Sequence, residues 1–142
     1  MSDRKDIALT ELALIATSGT QIGRPIRVAN CDELSVSFTV SVSAGTLQAT
    51  FALTGTDDDS RAFDYGAVLP ALTTGTLSVL PSGVTYSSTT GLVTFNNPSA
   101  GTIEVVITYG SSNFTKYVRP LWTYTSGGGT VAVQATIAAW TT

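Results

Sequence analysis

Residues 34–43 read LSVSFTVSVS, five apolar residues in strict alternation with five small hydroxyl residues. Successive side chains of a strand point to opposite faces, so this period predicts a strand that sends Leu34, Val36, Phe38, Val40 and Val42 into a core. Its other face, Ser35, Ser37, Thr39, Ser41 and Ser43, carries none of the charged side chains that usually clothe a solvent-facing strand. Alternation returns at residues 47–53 through Leu47, Ala49, Phe51 and Leu53, and Ser43-Ala44-Gly45-Thr46 between the two reads as a hairpin turn. A shorter strand is predicted over residues 26–29. Four more fall at residues 77–80, 84–86, 92–95 and 103–109, separated by Pro81-Ser82-Gly83, Thr90-Gly91 and Asn97-Pro98. In the last of these Ile103, Val105, Ile107 and Tyr109 share one face. Residues 114–124 and 130–140 flank Ser126-Gly127-Gly128-Gly129, which reads as a flexible hairpin loop. Residues 7–16 fit neither period, leaving a helical turn and an extended arm both open.

The pattern predicts an all-β fold, a single β-sandwich or jelly roll of about nine to ten short antiparallel strands, with a barrel as the second choice. A chain of 142 residues suits one domain. Residues 1–22 are assigned to an N-terminal arm or first strand and residues 23–142 to the sandwich.

Composition sharpens this picture. Charged residues make up 12% of the chain, about half the usual share of about 25%. Polar surface must then come from hydroxyls and backbone, and weak self-repulsion favours association. Net charge is −3 with only seven basic residues, scattered along the chain, which argues against a nucleic-acid partner. A single cysteine, Cys31, closes no intrachain disulfide. With no histidine, Ser-His and Cys-His catalysis and imidazole metal ligation are excluded. The short apolar run after Arg4 and Lys5 is offset by Asp3 and Asp6 and broken by Glu11, so neither a signal peptide nor a membrane span is expected.

Chemistry has few candidates. Residues 55–75 form the longest stretch without periodicity, and long loops are often functional. Asp57, Asp58 and Asp59 concentrate carboxylates there, the donor type for a hard cation, but without the spacing of a helix-loop-helix calcium site. A solvated turn is the simpler reading, and no metal or cofactor is expected. No second acid is placed for glycoside hydrolysis, so no enzymatic activity is expected. The late aromatics Phe114, Tyr117, Trp122, Tyr124 and Trp140 would suit sugar contact if stacked on one face, yet parity puts Tyr117 opposite Trp122 and Tyr124.

Two stretches resemble known families. Residues 80–109, LPSGVTYSSTTGLVTFNNPSAGTIEVVITY, resemble the immunoglobulin-like repeat of bacterial and phage surface proteins, with Pro81, Gly83, Thr90, Gly91 and Gly101 at its turns. More broadly, residues 7–40 with the ending FTKYVRPLWTYTSGGGTVAVQATIAAW resemble the small β-sandwich structural proteins of tailed bacteriophages, of the head decoration (cement) type. Tyr117, Val118 and Arg119, then Gly127 to Gly129, match their closing strand and Gly/Ser loop. The acidic stretch Asp57 to Asp59 lies outside that pattern.

The resemblance implies a non-enzymatic virion protein, made in the host cytoplasm, that binds the major capsid protein on the head exterior as a homotrimer. Expected interface residues are Ser35, Ser37, Thr39 and Ser41 on the hydroxyl face, with Ile7, Leu9 and Leu12 in a docking arm. A tail or fibre module that binds a host surface or glycan is a second reading, and requires an exposed platform at Trp122 and Tyr124. A bacterial immunoglobulin-like spacer is a third; a chain that starts at Met1 with one unit sets an expectation against it.

Overall fold

The computed structural model describes residues 8–14, 19–58, 67–69, 75–110 and 114–141. Among them are twelve strands: β1 (Ala8–Leu14), β2 (Thr20–Ile22), β3 (Ile26–Arg27), β4 (Glu33–Val42), β5 (Gln48–Thr56), β6 (Ala67–Val68), β7 (Gly75–Leu77), β8 (Val84–Tyr86), β9 (Val93–Asn96), β10 (Gly101–Gly110), β11 (Tyr117–Ser126) and β12 (Val131–Trp140). They form a five-stranded sheet, β1-β12-β4-β10-β7, and a seven-stranded sheet, β2-β11-β5-β9-β8, in which β3 adds to β11 and β6 to β5. All pairings are antiparallel, giving the expected all-β sandwich.

Strand faces follow the alternation. Leu34, Val36, Phe38, Val40 and Val42 are buried, as are Ile103, Val105, Ile107 and Tyr109 across from them on β10. From the seven-stranded sheet come Phe51, Phe95 and Trp122. Phe38 stacks on Phe51 with ring centroids 3.7 Å apart and planes 14° from parallel, which ties the two sheets at their middle. Trp122 and Phe95 surround that stack at centroid distances of 5.7 and 5.8 Å from Phe38. Each such pair adds about 0.5–1.5 kcal/mol beyond its buried area.

Strand partnership corrects the sequence reading. β4 and β5 are not a hairpin: the short connection between them crosses from one sheet to the other. β11 and β12 likewise belong to different sheets, so the glycine-rich loop is an arch and not a hairpin loop. The physical reason lies in the side chains. Both inner faces carry a bulky ring, and stacking Phe38 on Phe51 requires the strands to face one another across the core instead of lying side by side. β9 and β10 form a third arch of the same kind. The β4–β5 arch sits centrally, flanked by β11–β12 on one side and by β9–β10 on the other.

Other boundaries shift modestly. The strand expected at residues 77–80 occupies Gly75–Leu77, and the one at 26–29 is the two-residue β3. Part of the long aperiodic stretch is ordered into the sheet, since β6 pairs with Thr54 and Gly55 and Leu69 is buried in the core.

Tyr109 carries its phenol into this core at 2% exposure. Burial, with a smaller contribution from Tyr86, pushes its ionisation well above the ordinary phenol range. The unfolded chain releases that proton near pH 10 while the folded one retains it, so folded stability must fall as pH rises above about 10, by about 1.4 kcal/mol per pH unit. Denaturant unfolding of wild type and Tyr109→Phe across this alkaline range checks it: the wild-type slope exceeds that of the variant by this amount. Equal slopes would mean that Tyr109 ionises in the folded protein.

Candidate interaction surfaces

The outer face of the five-stranded sheet is built by alternation. β4 contributes Ser35, Ser37, Thr39 and Ser41, all half-buried. Being central, it sets these hydroxyls between two neighbours: Thr108, Val106, Glu104 and Thr102 of β10, and Ala138, Thr136, Gln134 and Ala132 of β12. Ser41 and Thr102 hydroxyls lie 3.1 Å apart, so hydroxyls bond across strands. The result is a bed mostly of Ser, Thr and Ala with Val106 among them, crossed at Thr39 by the longer, exposed Glu104 and Gln134, and with Glu33 half-buried at one end. Among the described residues on this face no Lys or Arg occurs. A bed of short side chains lets another surface approach closely, and its hydroxyls cost less to desolvate than ions do.

The arm residues divide. Leu9 and Leu12 belong to β1, whose backbone runs antiparallel to β12 with Leu9 opposite Ala138 and Leu12 opposite Ala135. That segment is therefore an edge strand of the same sheet that carries the hydroxyl bed. Ile7 lies outside the described residues.

One end of the sandwich gathers all three arches. Val42 of β4 is in register with both Gly101 and Val131, and Gln48 of β5 with both Asn96 and Ser126. The arches are bonded to one another. Ser43 and Ala44 donate their backbone N–H groups to Gly128 O at 3.0 and 3.1 Å, and Gly128 N–H donates to Thr46 Oγ1 at 3.0 Å. Thr130 N–H donates to Ser43 Oγ at 2.7 Å. On the other flank Asn97 N–H donates to Leu47 O at 2.8 Å, and Gln48 Nε2 donates to Asn96 Oδ1 and Asn97 Oδ1 at 2.7 and 2.9 Å. Such bonding makes a fixed tip out of what the sequence suggested was a flexible loop. Residues 43–47, 96–101 and 125–130 contain no charged side chain, so the tip is polar and uncharged throughout.

The opposite end holds the acidic stretch. Asp57 Oδ1 accepts the Lys116 backbone N–H at 2.8 Å, and Asp58 donates its own N–H to Thr56 Oγ1 at 3.1 Å. Asp57 thus holds the approach to β11 in place. Among the described residues no three His, Cys, Asp or Glu side chains converge, and Asp59 lies outside them. A cleft of about 370 Å³ opens here, with Val28, Cys31, Asp57 and Phe114 in its walls.

Trp122 is completely buried, and Tyr124 is half-buried with its O–H donating to Gly127 O at 2.8 Å. The exposed platform that the glycan reading required does not exist at Trp122. What the sequence did not single out is the edge made by β2, β3 and β11. Arg24 and Arg119 line a groove of about 390 Å³ there with Ile22 and Pro25, and Arg119 Nε donates to Gly23 O at 2.9 Å. Pairing of residues 20–27 with β11 brings these arginines together, and no local motif announces it.

No protein-family model and no curated protein matches the chain. Among solved structures it is similar to the SPBc2 prophage-derived protein YomS, at 15% identity and a TM-score of 0.41, covering 94% of this chain and 96% of that one. It is also similar to a protein of the Bacillus endospore appendages, a family of disulfide-linked pili, at 10% identity and a TM-score of 0.36, covering 100% of this chain and 92% of that one.

Proposed function

We propose that this chain is a non-enzymatic structural protein of a tailed-phage virion, a decoration protein that binds the major capsid protein on the head exterior as a homotrimer and reinforces the shell. The observation that carries the reading is the outer face of the five-stranded sheet: a broad bed of short hydroxyl and methyl side chains around Ser35, Ser37, Thr39 and Ser41, flanked by β10 and β12. The sequence resemblance of the first and last strands to phage cement proteins supports the assignment. Many weak contacts repeated by shell symmetry add up through avidity, so each one can be modest.

The double substitution Ser37→Lys with Ser41→Lys tests the role of the face. These positions are half-buried between strands, and two ammonium groups standing above the bed hold an approaching surface away. The variant is expected to keep its melting temperature within a few degrees, since surface substitutions usually change stability by about 0.5 kcal/mol or less. Self-association, measured by sedimentation equilibrium, is expected to weaken at least about tenfold. Unchanged association in a folded variant would return this face to solvent.

A further inference from the structure

All four Lys and Arg residues of the described chain, Arg24, Arg27, Lys116 and Arg119, lie along the β2–β3–β11 edge of the seven-stranded sheet. Lys116 sits at its lower end, where Asp57 bonds its backbone, whereas Arg24 and Arg27 are exposed. The edge also presents Ile22, one of two exposed large apolar side chains among the described residues, at 38%. On the far side of the sandwich, the outer face of the five-stranded sheet has the opposite character. Its exposed charge is Glu104, two residues along β10 from the half-buried Val106, and among the described residues no cation shares that face.

We infer that the two surfaces are partners: the Arg24–Arg27 edge of one copy docks on the Glu104 face of a second copy of this chain, Ile22 meeting Val106 beside the ionic contact. Charge complementarity selects the occupant. Two hydroxyl faces placed against each other would bring Glu104 towards its own counterpart or leave it unpartnered, and like charges in an interface disfavour that pairing. A contact between two different surfaces is head-to-tail, which closes into a ring when the rotation between copies divides the full turn and otherwise runs on as a filament; a ring of three is the closed form that the proposed function requires. This gives the trimer of the proposed function its interface, and rests on that reading only for the number of copies.

A charge exchange tests it. Glu104→Arg alone and Arg24→Glu with Arg27→Glu are each expected to raise the dissociation constant for self-association at least about tenfold. All three changes in one chain are expected to restore association, because the reversed charges face each other again. The substituted side chains are exposed, and unchanged thermal melting confirms that each variant folds. Loss in both partial variants without recovery in the combined one would overturn the pairing, as would partial variants that associate like wild type, or a wild type that stays monomeric at high concentration and low salt. Sedimentation of the same proteins with undecorated capsids separates this inference from the proposed function. Capsid binding by a protein whose association ignores the exchange overturns the interface and leaves decoration standing. Recovery on exchange by a protein that does not bind capsids does the reverse.

Discussion

Trp122→Ala is expected to destabilise the protein by about 3–5 kcal/mol, the usual cost of truncating a large buried ring. Trp122 has no exposed surface and packs on Phe38 of the central stack and on Phe95 beside it, at centroid distances of 5.7 and 5.8 Å. Removing the indole opens a cavity beside the Phe38–Phe51 pair, and β5 beside it and β4 across the core are long and paired on both sides, so they cannot collapse into it. Since typical domains are stable by about 5–15 kcal/mol, this single change takes a large share of the total. Urea unfolding of both proteins measures it. A loss below about 1 kcal/mol would mean that the ring is not in the core. The same experiment separates packing from ligand contact, because a surface ring that binds sugar could be removed with little effect on folding.

Gly127→Ala is the second large effect, expected at about 3 kcal/mol, combining the cost of a left-handed backbone with a steric collision. Gly127 has φ of 75°, a region that side-chain-bearing residues rarely adopt. A methyl group there would meet the backbone carbonyl of Thr46 on the neighbouring arch, which cannot move without disturbing the bonds that join the β4–β5 and β11–β12 arches. Amide hydrogen exchange should show faster exchange at Ser43, Ala44 and Gly128 together, since they share one bonding group. Loss of protection at Gly128 alone would mean that the arches are not coupled.

The fold was legible to the extent that burial is. Alternation placed Phe38, Phe51, Ile107 and Ile137 inward, because a strand with one buried face must write that fact into every second residue. It could not say which strands are neighbours. Ser43-Ala44-Gly45-Thr46 is short enough for a hairpin and also for an arch, and an inward Phe38 looks the same in both. The stronger signal was at a distance: Gly127, Gly128 and Gly129 all have positive φ and fit tightly against the 43–47 turn, so three successive glycines marked a close backbone approach and not a floppy connection. Parity likewise separated Tyr117 from Trp122 correctly, but only the three-dimensional core showed that Trp122 is wholly covered.

The surfaces were less legible. Ser35, Ser37, Thr39 and Ser41 stood out as an uncharged comb, and their central position between β10 and β12 broadens that comb into a bed. Of the arginine edge, sequence shows only that Arg24 and Arg27 are neighbours; Arg119 is far along the chain and joins them only through strand pairing.

The central claim, decoration of a capsid, is tested most directly by co-sedimentation. Undecorated tailed-phage capsids, assembled from the major capsid protein alone, are titrated with purified protein, and the bound amount is measured together with its mass in solution. Saturable binding by a trimer, weakened by Ser37→Lys with Ser41→Lys, is the predicted result. A folded protein that remains in the supernatant at every concentration would contradict it.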